Sequence, residues 1–252
     1  MKLKPYLRIT LFFFFLSGQF VCGQNKIITK GNQQWLQYYN QIQFNDRWTL
    51  LSDGGFRWRE NFDESSLFIV RMGVGYSLRP SLRVAGGMAY LGFYAAEKVA
   101  KIENRPFQEI QLKNKIGRIE LTQRFRLEER FFHLVQPSFL ENPNTFNFRY
   151  RYSVMFSGVL FYLSNSKQFV SLKIGDEVFF NSGKNIIYNR FDQNRFIVSP
   201  TLNLEENLAI SLTWNKQFAN TPIKDNFISS DVFWLQINQK VVLKKKGKIG
   251  IK

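Results

Sequence analysis

Hydrophobic and polar residues alternate along residues 146–156 with almost no break. One parity is nearly all aromatic and carries Phe146, Phe148, Tyr150, Tyr152, Val154 and Phe156. The other parity is polar and carries Asn147, Arg149, Arg151 and Ser153. A period of two residues is that of a β-strand, whose successive side chains point to opposite faces. A strand with one aromatic and one arginine-bearing face is typical of a membrane β-barrel, in which one face meets lipid and the other a polar lumen.

Residues 119–131 alternate in the same way and are the predicted antiparallel partner of 146–162, across a loop at 132–145. Their polar parity carries Glu120, Thr122, Arg124, Arg126, Glu128 and Arg130. If Phe131 lies opposite Phe146, Glu128 faces Arg149 and Arg126 faces Arg151. Because two facing arginines repel, we expect carboxylates to separate them. The candidates are Glu109, Glu128 and either Asp176 or Glu177.

Segments of this kind recur along the chain and predict eleven clear strands. They span residues 34–44, 47–58, 67–78, 82–93, 106–113, 119–131, 146–162, 168–180, 195–204, 208–218 and 231–243. Short connections alternate with longer ones at 59–66, 94–105, 132–145, 181–194 and 219–230, a pattern typical of periplasmic turns and extracellular loops. Loops 94–105 and 181–194 are the places where a partner would bind.

The predicted fold is an all-β, antiparallel transmembrane β-barrel. Single-chain bacterial barrels normally have an even number of strands, so residues 25–30 are a candidate for one more strand. The expected count is therefore about twelve, with ten as the alternative.

The polar faces of these strands are expected to line the lumen. The predicted lumen residues are Arg71, Arg124, Arg126, Glu128, Arg130, Arg149, Arg151 and Glu177. Small barrels fill their interior with side chains, so we expect a narrow or plugged lumen. Because arginines outnumber carboxylates in this row, any conductance is expected to be small and biased toward anions.

The N-terminal segment has the features of a secretory signal peptide. Lys2, Lys4 and Arg8 precede an apolar stretch that begins at Ile9, and Val21-Cys22-Gly23 predicts cleavage before Gln24. The expected division is a signal peptide at 1–23 and a single β-barrel domain at 24–252. The apolar stretch is short for a membrane anchor, and Val21 is unfavourable for a lipoprotein signal. Cys22 is the only cysteine, so its removal with the signal peptide would leave a mature chain without disulfides. The expected location of the exported chain is the outer membrane of the cell.

Composition narrows the class of partner. The chain of 252 residues has 27 Phe, 10 Tyr and 5 Trp and a formal charge of +16, yet its mean hydropathy is −0.25. No later stretch approaches eighteen apolar residues, so spanning by helices is excluded. The basic residues are spread singly over alternating strands, which favours anionic lipid over nucleic acid as the partner. Lys244, Lys245, Lys246 and Lys248 form a basic run that is solvated or touches lipid head groups.

The residues that carry common catalytic chemistry are few. His133 is the only histidine. The polar face of residues 119–131 is formed by even-numbered positions, so the odd-numbered His133 is expected on the outward face or at the start of a loop. Glu128 with Asp176 or Glu177 resembles a carboxylate pair, but the surrounding arginines favour charge balance over acid–base catalysis. We therefore expect no catalytic residue, no metal site and no cofactor.

Several segments together resemble a known family. They are Glu103 to Glu109, Arg124 to Arg130, Phe148 to Tyr152, Asp176 to Asn181 and Tyr188 to Arg195. In order and spacing they resemble the domain-of-unknown-function 2490 family, exported β-barrels of Gram-negative envelopes. The motif residues of interest are Arg105, Asp192, Asn194 and Arg195. The resemblance implies an envelope barrel and no particular activity.

Three functional hypotheses follow. The first is a non-enzymatic outer-membrane barrel, porin-like in architecture, whose partners are outer-membrane lipid and the barrel assembly machinery. The second is a barrel enzyme that modifies lipid, which would depend on His133. The third is a soluble periplasmic ligand-binding barrel, which would turn its aromatic face inward.

Overall fold

The structure, a computed structural model, describes residues 26–135, 145–163 and 167–243. These residues form eleven β-strands. In chain order they are β1 (Ile27–Gln43), β2 (Trp48–Arg59), β3 (Glu64–Arg79), β4 (Leu82–Ala95), β5 (Lys98–Ile116), β6 (Ile119–Leu134), β7 (Thr145–Tyr162), β8 (Phe169–Ser182), β9 (Phe191–Glu205), β10 (Leu208–Asn220) and β11 (Asn226–Val242). Within these ranges no helix is long and apolar enough to cross a membrane. The predicted signal peptide at 1–23 and the basic run at 244–248 lie outside the described residues.

The strands form one closed barrel. Each strand pairs with its neighbours in the chain as an antiparallel hairpin, and β1 pairs with β11 to close the sheet. This closing pair is parallel, with Ile27 opposite Asn226 and Gln43 opposite Val242. The all-β barrel is confirmed, whereas the antiparallel prediction missed this one pair.

The strand count differs from the prediction of twelve, or alternatively ten, because eleven strands close the barrel in the described part of the chain. Residues 27–30, proposed as part of an extra strand, are the beginning of β1. In a meander with an odd number of strands, the first and last strands run in the same direction. A parallel ladder between them then satisfies both edges, so that no twelfth strand is needed.

The connections lie at two ends of the barrel. We call the end at which β2, β4, β6, β8 and β10 begin the short-turn end. The opposite end, at which β3, β5, β7, β9 and β11 begin, we call the long-loop end.

The predicted loop at 94–105 is wrong, because most of it is strand. Strands β4 and β5 are joined by Ala96 and Glu97 alone, and both residues have positive φ angles, 49° and 59°. Such a two-residue hairpin turn normally carries Asn or Gly, so the Ala-Glu pair gave no turn signal. Pro106 obscured the strand further, since proline cannot donate to a ladder. The β5–β6 register steps from Asn104 opposite Phe131 to Phe107 opposite Glu128, without a pair at Pro106.

The barrel is polar inside and apolar outside. Among the described residues, twenty buried side chains are polar or charged and eleven are hydrophobic, while forty large hydrophobic side chains are exposed. A water-soluble domain buries its apolar residues, so this distribution is inverted. The buried apolar residues include one cluster on the inner wall formed by β3 and β4, made of Leu67, Ile69, Ala89 and Leu91.

Two facing glycines shape the inner wall beside the charged residues. Gly73 on β3 pairs with Gly87 on β4. A Cβ atom on Gly87 would lie 2.2 Å from the Met72 carbonyl oxygen and 2.9 Å from the Phe107 ring. The missing side chains therefore leave room for the tip of the Phe107 ring, whose centroid lies 4.7 Å from the Arg126 guanidinium carbon.

Candidate functional site

The predicted register between β6 and β7 is the observed one. Phe131 pairs with Phe146, Glu128 with Arg149 and Arg126 with Arg151. The polar parity of both strands points into the barrel, where Arg126, Glu128, Arg130 and Arg151 are buried. As predicted, carboxylates separate the two facing arginines.

Glu128 lies at the centre of the interior charges. Its Oε1 atom is 2.7 Å from Arg151 Nη1 and 3.9 Å from Arg126 Nη1. Its Oε2 atom is 3.6 Å from Arg105 Nη1 and 3.8 Å from Arg149 Nη1. One carboxylate therefore lies among four guanidinium groups from three strands.

Two further carboxylates complete the separation. Glu177 Oε1 lies 2.5 Å from Arg124 Nη2 and 2.8 Å from Arg151 Nη2. Glu109 Oε2 lies 2.5 Å from Arg126 Nη2 and 3.8 Å from Arg124 Nη1. Of the two alternatives left open by the sequence, Glu177 is the inward carboxylate.

Glu103 is an interior carboxylate that the sequence analysis did not single out. It is fully buried, and its Oε1 atom lies 2.5 Å from Arg105 Nε and 2.7 Å from Arg130 Nε. The signal was the shared parity of Glu103, Arg105, Phe107 and Glu109, which is visible only if residues 98–116 are read as one strand.

Arg71 also points inward, as predicted, but on another part of the wall. Its register partner on β2 is Asp53, whose Oδ2 atom lies 2.9 Å from Arg71 Nε. Asp53 in turn accepts a 2.5 Å hydrogen bond from Gln37. The alternation of β2 contains Asp53, so periodicity offered a signal for this pair that was not used.

The four motif residues of the family divide between the two faces. Arg105 and Arg195 are buried inside the barrel. Asp192 points inward at the start of β9 and lies 3.1 Å from Arg149 Nε. Asn194 lies on the outward face, where its side-chain amide donates to Asp176 of the neighbouring strand. Three of the four therefore belong to the interior, and Asn194 stabilises the outer surface between β8 and β9.

Aromatic rings support the guanidinium groups inside the barrel. Phe179 is almost fully buried, with Arg151 at 4.6 Å and Arg195 at 4.7 Å from its ring centroid. Stacking on a ring is favourable for a cation that has lost part of its water shell. It also fixes the plane of each guanidinium, so that its N–H groups point sideways.

Access to water falls steeply along β6. The exposed fraction of the inward side chains is 45% at Glu120, 24% at Arg124, 10% at Arg126 and 1% at Glu128. Glu120 is next to the short-turn end, and Glu128 is in the half of β6 toward the long-loop end. The interior is thus a vestibule that opens at the short-turn end and narrows to the ion pairs around Glu128.

The cavity inside the barrel is strongly basic. It has a volume of about 570 Å³ and is lined by twelve Arg and Lys side chains but only four Asp and Glu side chains. Glu103, Glu128 and Asp192 add three carboxylates in ion pairs behind this lining. Within the described residues, the interior therefore carries an excess of positive charge.

His133 belongs to the outward face of β6. It is near the end of β6 with the outward parity, and its Nε2 atom is 3.3 Å from the side-chain amide of Asn104 on the adjacent strand. The predicted outward placement is confirmed.

Comparison with known proteins supplies a family for this fold. The family model described as protein of unknown function (DUF2490) matches residues 32–227. No curated protein and no solved structure matches the chain significantly. The matched range runs from β1 into β11 and includes every interior charge described above, so the chain belongs to the DUF2490 family of proteins of unknown function.

Proposed function

We propose that this protein is a non-enzymatic outer-membrane β-barrel whose arginine-rich lumen is closed by ion pairs and passes at most a small, anion-biased current. One observation carries the proposal, namely the inverted distribution of polarity. Outward residues of β7 such as Tyr150, Tyr152 and Phe156 are exposed, while Arg151 and Ser153 of the same strand are buried. Lipid outside and a polar lumen inside account for that pattern.

The same distribution disfavours the soluble periplasmic barrel. A ligand-binding barrel in water keeps its apolar side chains for the interior, where they contact the ligand. Here the largest exposed side chains would face water all around the barrel. In a bilayer they would contact acyl chains, with outer-membrane lipid and the assembly machinery as the expected partners of the exported chain.

The interior supports a closed lumen instead of an open channel. An ion that entered from the short-turn end would meet Arg124 first and then the ion pairs of Arg151 with Glu128 and Glu177. Breaking these buried pairs is unfavourable, so few ions would pass. The excess of arginine would favour anions among those that do.

The absence of enzymatic activity is part of the proposal. A lipid-modifying barrel would place a histidine beside a nucleophile or an acid at its working surface. His133 has the outward parity of β6, and its Nε2 atom contacts the neutral side-chain amide of Asn104. The interior carboxylates are held among several arginines, which favours their ionised form over the proton donor that hydrolysis needs.

A planar-bilayer experiment tests the proposal. The protein is first shown to reach the outer-membrane fraction and to change gel mobility on boiling, as closed membrane barrels do. We then expect a small conductance with a reversal potential that indicates anion preference in a salt gradient. The double variant Arg126→Ser and Arg151→Ser should lower that preference, because it removes two interior positive charges.

The matched control is Lys216→Ser, which removes a positive charge that lies on the outward face in contact with Asp231. It should leave ion preference unchanged. If the interior double variant also leaves ion preference unchanged, the lumen assignment fails. If the protein stays free in the periplasm, the membrane proposal as a whole fails.

A further inference from the structure

Two interior arginines share one aromatic ring. The guanidinium carbon of Arg57 on β2 lies 3.8 Å from the centroid of Trp35, and that of Arg195 on β9 lies 5.0 Å from it. Trp35 is only 3% exposed and Arg195 only 8%. All three residues line the interior cavity. Two positive charges are thus held side by side where water is scarce.

These two arginines are not paired with a carboxylate. Among the described residues, no Asp or Glu oxygen lies within 4.0 Å of either guanidinium. The carboxylate opposite Arg195 in the register is Glu177, which is already engaged by Arg124 and Arg151. The register neighbours of Arg57 are Trp35 and Leu67, which carry no charge. This distinguishes the pair from the arginines around Glu128.

Their hydrogen bonding is incomplete as well. Arg57 Nε is buried and has no hydrogen-bond partner in the described part of the chain. Arg195 Nε donates to Gln217 at 3.1 Å. With its amide oxygen turned toward Arg195, Gln193 accepts from Nη2 at 2.9 Å. Both partners of Arg195 are therefore neutral amides, which leave its charge unbalanced.

A buried and unbalanced charge is costly unless a counter-ion accompanies it. Trp35 occupies one face of both guanidinium groups, and Gln217 and Gln193 take the Nε and Nη2 groups of Arg195. The N–H groups of Arg57 and the Nη1 group of Arg195 therefore remain for a ligand in the cavity. A guanidinium edge matches the two oxygens of a carboxylate or a phosphate. We infer that the cavity wall formed by Arg57, Arg195 and Trp35 binds a small free oxyanion, a phosphate or a carboxylate, that enters from the short-turn end.

The position of the site decides between a free ion and a lipid head group. Arg195 and Trp35 are almost fully buried inside the barrel, away from the outward face that would contact lipid. The vestibule from the short-turn end carries Lys113, Arg124 and Lys173, which would attract an anion inward. The inference rests on the inward placement of these side chains, as the proposed function does, but requires neither membrane insertion nor conduction.

The test is a titration with inorganic phosphate of the full chain folded in detergent micelles. Ionic strength is held constant with sodium chloride, and binding is followed by the thermal midpoint and by tryptophan fluorescence. A parallel titration uses acetate as the carboxylate probe. We expect a saturable rise of the midpoint with phosphate or acetate beyond that with chloride. The variants Arg57→Gln and Arg195→Gln should each weaken binding at least tenfold.

A second readout separates a binding site from a structural role. Without phosphate, Arg57→Gln should have the same or a higher thermal midpoint than the wild type, because it removes an uncompensated charge. With saturating phosphate the order should reverse. Arg118→Gln, in the exposed turn at 117–118, is the matched control and should behave as the wild type in both conditions.

Two results would overturn the inference. One is a wild-type midpoint that responds to phosphate and acetate no more than to chloride. The other is a phosphate response that persists in the double Gln variant, which would place the anion elsewhere. If a Gln variant does not fold, Arg57→Lys keeps the charge but loses the two-pronged edge, and it should still weaken binding. Because binding is measured in micelles, a barrel that conducts without binding phosphate would overturn this inference alone.

Discussion

Two parts of the interior wall are both polar and both buried, yet they are stabilised differently. On β5 to β8, hereafter the charged wall, four carboxylates are each held by two or more arginines, as Glu128 is. On β9 to β11, hereafter the neutral wall, hydroxyl groups bond in pairs. Ser199 lies 2.6 Å from Thr213, and Thr201 lies 2.8 Å from Ser211.

The difference predicts how many neighbouring groups lose a partner when one residue of each wall is substituted. In the charged wall a single carboxylate balances several guanidinium groups, so its loss leaves several buried charges uncompensated. In the neutral wall each hydroxyl pair is local, so its loss leaves one or two groups without a partner. The same barrel should therefore tolerate a change on one wall and lose much of its stability after a change of the same size on the other.

Glu128→Gln should have the largest effect. Glutamine keeps the volume but removes the charge that faces Arg151, Arg149 and Arg105. We expect the free energy of unfolding to fall by about 3–5 kcal/mol, the usual range when one partner of a buried ion pair is removed. Urea unfolding of the protein in micelles, followed by circular dichroism, measures this change.

The control for that variant lies one residue away. Glu129 has the outward parity, and its carboxylate accepts a 3.3 Å hydrogen bond from Gln108. Glu129→Gln should change the free energy of unfolding by no more than about 1 kcal/mol. Equal losses in the two variants would contradict the distinction between inward and outward charges on β6.

Thr213→Val should have an intermediate effect on the neutral wall. Thr213 is fully buried, and its hydroxyl contacts Ser199 and also accepts from Gln236 at 3.0 Å. Valine has nearly the same shape, so the variant isolates the loss of these hydrogen bonds. We expect the free energy of unfolding to fall by about 1–3 kcal/mol. A loss as large as that of Glu128→Gln would remove the contrast between the walls.

Periodicity predicted most of the fold and half of the charged wall. The alternation of residues 119–131 and 146–162 determined which side chains point inward, and two aromatic residues aligned the strands in the observed register. Because a shift by one residue would turn every arginine toward the outside, this register is strongly specified. All eleven strands were predicted, but β1, β5 and β11 begin seven, eight and five residues earlier than the predicted ranges.

The remaining features depend on geometry that alternation does not encode. The strand count followed from the parallel closure of β1 on β11, which no local pattern reveals. The hairpin at Ala96 and Glu97 has left-handed backbone angles without the residues that usually adopt them. Alternation predicts that Trp35 and Arg57 point inward. Their stacking depends in addition on the register of β1 against β2, in which the two residues lie opposite each other. The inward position of Glu103 was not predicted, because the beginning of β5 was assigned to the loop at 94–105.

The smallest effect is expected in the turn at 96–97, which joins β4 of the apolar cluster to β5 of the charged wall. Glu97 in this turn accepts hydrogen bonds from the Ser65 hydroxyl at 2.6 Å and from the Ser65 backbone N–H at 2.8 Å. These bonds, the hydroxyl bond most of all, lower the pKa of the Glu97 carboxyl below its ordinary value. A lowered pKa in the folded state means that the ionised form stabilises the fold. That contribution is present above the ordinary pKa and is lost as the pH falls through the lowered one.

Glu97→Gln should therefore lower the urea midpoint slightly at pH 7, by less than Thr213→Val does, because the turn is exposed to solvent and only the charge is removed. Glutamine still accepts from Ser65, so the difference from the wild type should shrink as the pH falls below about 4, where the wild-type carboxyl also becomes neutral. Parallel urea titrations of the two proteins across this pH range measure the effect. A difference that stays constant with pH would show that packing of the turn, and not the charge of Glu97, stabilises this connection.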